Sequence, residues 1–376
     1  MAQALENLRI VDFSRVLAGP LATMVLADLG ASVIKVERPG SGDDTRAWGP
    51  PWDERGMATY FQSVNRNKDS LALDLASEAG LNRARELCAG ADVVVENFRP
   101  GVMDGLGLGF QELQAANPGL VYCSITGFGS TPAGAAMPGY DLLVQALGGL
   151  MSITGEPEGD PQKVGVALVD VICGLFAAVG VLAAVRHRER TGEGQRVEVD
   201  LLSSLLAALV NQGSAFTLAG HVAARMGNAH PSIAPYELMR AADGHLVVAV
   251  GNDRQFRALA EVLGRPDLAD DPAFAGNASR VANRARLRSI LDELLAQRPA
   301  AEWVQALSHA RVPAGQVNDI AGAFALAAEI GLEPVVDVPR EGGGSARLTR
   351  NPIRLSATPA SYRSAPPDLP ERDGGG

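Results

Sequence analysis

Asp170 is the acid in this chain whose setting most invites chemistry. It closes an apolar run over residues 164–169 (VGVALV) and opens a second that continues to Val185. The pattern predicts a strand ending at Val169 and a helix that Asp170 caps. As an ordinary N-cap, the carboxylate satisfies orphan helix N–H groups. As a reactive group, it stands at the carboxyl edge of a sheet, where α/β ligands bind. The helix dipole would keep it ionised and able to attack an activated acyl group. Spacing alone leaves both readings open.

Three further clusters suit an anionic, nucleotide-like ligand. Arg38 follows the apolar run 31–36 and could pair with phosphate or stack on a purine. Asn65, Arg66, Asn67 and Lys68 put two cations and two amides into four residues. Asn97, Phe98 and Arg99 follow Glu96 and combine an amide, an aromatic face and a cation. Each also reads as a solvated loop, and what joins them is placement after predicted strands.

Other chemistries find no support. Lys35, Lys68 and Lys163 are the only lysines among 33 basic residues, and none follows a glycine, so there is no Walker A loop. A βαβ start with Glu37 closing the second strand suggests dinucleotide binding. Its turn, residues 14–20 (SRVLAGP), has one glycine, and Pro20 lacks the N–H that a phosphate would want. The run GLGLGF at 105–110 completes no GxGxxG. There is no GxSxG, and five scattered histidines have no metal spacing. Cys88, Cys123 and Cys173 are isolated, which argues against a disulfide framework or a zinc cluster. With 43 acidic residues and a net charge of −10, the chain is not a general binder of nucleic acid or anionic membrane.

The elements that must position these residues alternate. Strands are predicted over 8–13, 31–36, 92–96, 120–125, 164–169 and 196–199, with helices over 21–29, 77–89, 110–116, 171–188 and 201–218. Apolar strands alternating with amphipathic helices imply a Rossmann-like parallel sheet covered on both faces. Residues 164–185 carry only Asp170 as a charge and are long enough to tempt a membrane reading. Gly165, Gly174, Gly180 and the uncompensated acid favour a buried strand–helix pair. The first residues (MAQALENLRIVDF) hold no apolar signal core. With so few cysteines, a reducing, cytoplasmic setting is expected. A length of 376 residues suggests about two domains. The expected division is a large domain over 1–200, a linker helix and connector over 201–228, and a small α+β domain over 229–331. Residues 332–376 would return to the large domain, with 372–376 disordered.

Several ordered motifs resemble the class III CoA-transferases, also called the CaiB/BaiF or formyl-CoA transferase family. They are DFSRVLAGP (12–20), VIKVERPGSGD (33–43), NRNKDSLALDL (65–75), ENFRPGVM (96–103), SITGFG (124–129), PGYDLLVQALGGLMSITG (138–155), VGVALVD (164–170), RMGNAHPSIAPY (225–236) and NPIRLSATPA (351–360). The resemblance implies an interlocked, ring-shaped homodimer with a split Rossmann-like domain and a small domain. It makes Asp170 the nucleophile of an acyl transfer from an acyl-CoA donor to a free carboxylate, through anhydride and aspartyl-CoA thioester intermediates, with CoA as substrate and no permanent cofactor or metal.

Carried over by position, Val16, Leu17 and Ala18 would line the entry turn, Arg38 would meet the nucleotide, and Leu73 and Asp74 would flank the adenine. Asn97, Phe98 and Arg99 would contact adenosine or pantetheine, and Tyr140 would lie near the thioester. Gly105 stands where many members carry an arginine for the CoA phosphates, so Arg99 or Arg66 would have to compensate, and Lys68 becomes a candidate for lining the entrance. Leu17 replaces the glutamine of the formyl-CoA:oxalate enzymes, and residues 227–231 (GNAHP) replace their glycine run, which points away from oxalate. The loop instead resembles branches using succinyl-CoA or C4–C6 dicarboxylates, with His230 or Ser232 near the acceptor. Two alternatives accompany this reading. An α-methylacyl-CoA racemase would need a histidine where Tyr140 stands, and a phenol is a poor proton shuttle at neutral pH. A catalytically silent CoA-binding subunit would have no use for the intact Asp170 segment.

Overall fold

The computed structural model describes residues 3–370. The chain divides into two units, one of residues 1–150, 163–222 and 333–376, the other of residues 151–162 and 223–332. Residues 372–376, expected to be disordered, lie outside the described residues.

The first unit is a doubly wound α/β layer structure. Its elements are β1 (Arg9–Asp12), α1 (Ala18–Asp28), β2 (Ser32–Glu37), β3 (Lys68–Ala72), α2 (Glu78–Ala89), β4 (Val93–Glu96), α3 (Phe110–Ala116), β5 (Val121–Thr126), α4 (Asp141–Leu147), α5 (Leu168–Thr191) and β6 (Arg196–Asp200). The six strands lie in the order β3-β2-β1-β4-β5-β6. Every pairing is parallel, with Ile10 opposite Val33 and Val11 opposite Val94. Alternate side chains feed two separate cores. Ile10, Val93, Val95 and Cys123 join residues of α1 and α5, whereas Val11, Val94 and Tyr122 join Ala84, Cys88 and Leu113 on the other face. Burying each such valine contributes about 1.5–2 kcal/mol. The sheet reverses direction of growth between β1 and β4, and that switch point opens a ligand crevice at the strands' carboxyl ends.

Residues 164–169 are not a strand. They lead into α5, whose N-cap is Ala167, and Val166 is 60% exposed. Their backbone is claimed by distant side chains, as described below, and β6 takes the place beside β5. α5 is long and apolar enough to cross a bilayer. Its face carrying Val169, Cys173, Ala177 and Val181 is buried in the core. Gly174 permits this, because a Cβ there would stand 2.5 Å from the carbonyl oxygen of Ala18. α5 therefore runs in backbone contact with the start of α1.

The expected linker over 201–228 is largely part of this unit. It forms α6 (Leu201–Ala208) and α7 (Val210–Ala219), bent by 84° at Leu209 rather than continuous. Leu201 and Leu205 are buried in the core beside α5, which is why α6 is no connector. The second unit contains an antiparallel sheet of β7 (Tyr236–Arg240), β8 (His245–Ala249) and β9 (Ala314–Gln316). Helices α8 (Asp253–Val262), α9 (Arg284–Leu295) and α10 (Ala300–His309) pack Phe256, Leu291 and Trp303 against it. From residue 333 the chain adds an antiparallel hairpin to the first unit, β10 (Val335–Pro339) and β11 (Ser345–Thr349).

Candidate active site

The site is built on the turn after β1. Val16 has φ of 71°, a left-handed conformation that a β-branched residue adopts only under constraint. The constraint is a buried network of charges. The Val16 N–H donates to the Asp43 carboxylate at 3.2 Å, and Asp43 is paired with Lys35 at 2.9 Å. Lys35 Nζ also donates to the Ser14 carbonyl at 2.8 Å. Asp12 accepts from the Ser14 N–H at 2.9 Å, the Thr23 hydroxyl at 2.6 Å and Lys68 Nζ at 3.1 Å. Burial pushes the carboxyls of Asp12 and Asp43 up, but the lysine charges and the hydrogen bonds together outweigh it and both titrate below the usual range. Burial lowers the Lys68 ammonium to about 8 against the pull of Asp12.

This overturns two expectations. Lys68 is fully buried beneath the turn and does not line an entrance. Arg66 and Asn67 bond Asp28 at 2.6–2.9 Å, and Asn67 also holds the returning tail through the Ser361 carbonyl. The cluster at 65–68 is structural because its polar groups meet buried acids, and Arg66 is not free to replace an arginine at 105. A side chain at Gly105 itself would meet open space.

The turn after β4 is locked to the turn after β1. Asn97 accepts from the Arg15 N–H at 2.8 Å and donates to the Arg15 carbonyl at 2.7 Å. Glu96 accepts from the Phe98 N–H at 2.8 Å. Arg15 stacks 4.9 Å from the Phe98 ring centroid. These contacts bridge the switch point, so the amide of Asn97 serves as a brace as well as a cleft wall.

Asp170 is the third residue of α5 and not its N-cap. The cap is supplied from a distance. Asp141 Oδ1 accepts from the Val169 N–H at 2.8 Å and the Asp170 N–H at 3.2 Å, while its Oδ2 accepts from Gln145 at 2.6 Å. Gln145 in turn accepts from the Val164 N–H at 2.9 Å. Because Asp141 takes the helix N–H groups, they do not hold Asp170 ionised as expected. Burial first and the Asp141 charge second push its carboxyl up to about 7. Tyr60, partly buried among Leu17, Met24 and Val171, has its phenol raised by burial and then by the charge of Asp170.

Two clefts share a wall. One of about 220 Å³ holds Asp170, Asp141, the 16–18 turn, Tyr140 and residues 97–99. The other, about 290 Å³ and mainly apolar, holds Arg38, Leu73, Asp74 and Phe13. Arg15 and Phe98 line both. Of the residues singled out from the sequence, Val16, Leu17, Ala18, Asn97, Phe98, Arg99, Tyr140 and Asp170 meet in the first cleft and Arg38, Leu73 and Asp74 in the second. Tyr140 is 66% exposed. His230 and Ser232 belong to the second unit, where the Ser232 N–H donates to His230 Nδ1 at 3.1 Å and the His230 ring meets Tyr236 edge-on at 5.4 Å. Asp141, Tyr60 and Asp44 were not anticipated. The one signal for Asp141 was its place in the motif PGYDLLVQALGGLMSITG (138–155). Among the described residues no group of three or more His, Cys, Asp or Glu could hold a metal ion.

A parallel sheet with a carboxyl group of raised pKa at its switch-point cleft, beside an apolar annex edged by arginines, defines an α/β enzyme with an elongated ligand site. The chain belongs to CoA-transferase family III, whose family model matches residues 5–373. It is 43% identical over 372 residues to the succinate–glutarate CoA-transferase of Agrobacterium fabrum, spanning 98% of this chain and 93% of that protein. It is 40% identical over 352 residues to the acetyl-CoA:oxalate CoA-transferase of Acetobacter aceti, spanning 93% of this chain and 89% of that protein. A CaiB/BaiF family protein from Brucella suis superposes with a TM-score of 0.87 at 42% identity, covering 98% of this chain and 97% of that one. The chain is therefore an enzyme of the CoA-transferase class.

Proposed function

We propose that this enzyme moves CoA between dicarboxylic acids, with succinyl-CoA or a similar dicarboxylyl thioester as donor and Asp170 as nucleophile. The observation that carries the reading is the Asp170 carboxyl, half-buried in the cleft and poised near pH 7. A desolvated carboxylate of raised basicity is a better nucleophile than a solvated one. An Asp170 oxygen attacks the donor thioester carbonyl and the C–S bond breaks, giving a mixed anhydride and CoA thiolate. The thiolate attacks the aspartyl carbonyl, releasing the donor acid and leaving aspartyl-CoA thioester. The acceptor carboxylate attacks that carbonyl and expels the thiolate. The thiolate then takes the acceptor acyl group, and Asp170 returns as carboxylate. No electrons are transferred overall, and each bond broken is matched by one formed.

In this reading the first cleft takes the thioester and pantetheine, and the second takes the nucleotide against Leu73 and Arg38. The acceptor loop around His230 and Ser232 selects the acid. The relatives' names support dicarboxylates as a class, and they include an oxalate enzyme as well as a glutarate enzyme. We further infer a cytoplasmic setting, from the free Cys88, Cys123 and Cys173, and a homodimer, supported by apolar side chains that a single copy exposes. Phe176 and Val179 on α5 and Val210 and Phe216 on α7 are each 44% exposed or more.

The test mixes enzyme, succinyl-CoA and a panel of free acids and follows new acyl-CoAs. Transfer should vanish in Asp170→Ala, and mass spectrometry should find a CoA or acyl adduct on Asp170. Undiminished transfer by that variant would end the mechanism. Epimerisation at the α-carbon without transfer would select the racemase instead.

A further inference from the structure

The arginines at the wall between the two clefts already have an anionic partner. Asp44 Oδ1 accepts from Arg38 Nη2 at 2.6 Å, and its Oδ2 lies 3.6 Å from Arg15 Nη1. Arg15 lines both clefts, Asp44 the first and Arg38 the second. A ligand long enough to occupy both must pass this carboxylate. The three side chains remain 33–55% exposed, so the pairs can be exchanged in place. The backbone beneath is different. Neighbouring Asp43 is buried and pinned by Lys35, by Thr45 through its N–H at 3.0 Å, and by the Val16 N–H. Only the Asp44 side chain is free to leave.

We propose that Asp44 is a resident stand-in for a ligand diphosphate: it holds Arg15 and Arg38 in position in the free enzyme, and the incoming diphosphate displaces it. The inference rests on the assignment of the CoA nucleotide to the second cleft. A diphosphate offers several oxygens to the two guanidiniums and out-competes one carboxylate. Asp44 then sets the affinity for the nucleotide half of the substrate through its hold on Arg15 and Arg38. The two pairs are partly solvent-exposed and together are worth about 1 kcal/mol, or about a fivefold change in affinity.

Titration calorimetry on the full chain tests this with two probes, CoA and pantetheine, which lacks the nucleotide. Asp44→Asn and Asp44→Ala should each bind CoA about fivefold more tightly than wild type, with a smaller gain or none for pantetheine, which has no phosphate. Wild type that fails to bind CoA would overturn the CoA reading itself. Wild type that binds CoA, with both variants equal to it or weaker, would overturn the displacement alone. Tighter binding by Asp44→Asn only would also overturn it, because the gain would then come from a new amide contact. Equal tightening for pantetheine, which carries no charge, would trace the gain to contacts other than the phosphates and likewise defeat the proposal.

Discussion

Asp12, beneath the turn after β1, and Asp170, in the cleft that turn forms, are both taken out of water, yet they titrate in opposite directions. Asp12 meets two lysines, a hydroxyl pair and an N–H, and its carboxyl is held below the ordinary range despite burial. Asp170 meets another acid, and its carboxyl rises to about 7. Burial favours the neutral form in both cases, so the partner decides the outcome. The first acid is a fixed charge that props a strained turn. The second keeps the proton affinity that a nucleophile at neutral pH can use.

The largest effect should come from removing that difference at Asp12. Lys68→Met leaves a buried carboxylate without its nearest cation and should cost about 3–5 kcal/mol in denaturant unfolding. Adding Asp12→Asn should restore much of the loss. A cost below about 1 kcal/mol would mean that Lys68 does not set the state of Asp12. A smaller change of opposite sign is expected at Asp170. Its folded carboxyl lies above the unfolded value of 3.8, so the folded chain keeps a proton that the unfolded chain releases as pH rises from about 4 through about 7. Stability falls across that window. Asp170→Asn should therefore be more stable than wild type at pH 8, by on the order of 1 kcal/mol after allowing for solvent at this half-buried site. At pH 4 the gain should vanish. Equal melting temperatures at pH 8 would place the carboxyl in an ordinary environment.

The same contrast separates what the sequence discloses from what it hides. α1, β2, β4 and β5 fall within a few residues of their apolar runs, because local pattern and burial agree there. β3 is missing from the predicted strands because Lys68, Asp69 and Ser70 open it, although it pairs in register with β2. Its lysine is buried only because Asp12 waits more than fifty residues earlier. The false strand at 164–169 has the same origin. Its apolar, β-branched residues suit a buried strand, but the partners that claim its N–H groups, Gln145 and Asp141, lie 19 and 28 residues away. Asp170 was legible as the acid after that run, while its raised carboxyl comes from burial first and from the Asp141 charge second, and no local pattern discloses either.

Asp141 is thus where the comparison can be sharpened most finely. Asp141→Asn removes the charge that disfavours ionised Asp170 while keeping an oxygen to accept the Val169 and Asp170 N–H groups. Its amide nitrogen would then face the Gln145 amide, so the bond at 2.6 Å is lost and stability should drop by about 1 kcal/mol. The informative readout is the pH dependence of transfer. Removing a neighbouring negative charge lowers the Asp170 carboxyl, so the acid limb of the rate profile should move to lower pH, by about half to one pH unit. Burial, the larger cause, is untouched, and the limb should stay above that of an ordinary aspartate. A limb that does not move would assign the elevation to burial alone and reduce Asp141 to a helix cap. A limb that falls to the ordinary aspartate range would make charge, rather than desolvation, the dominant cause at this site.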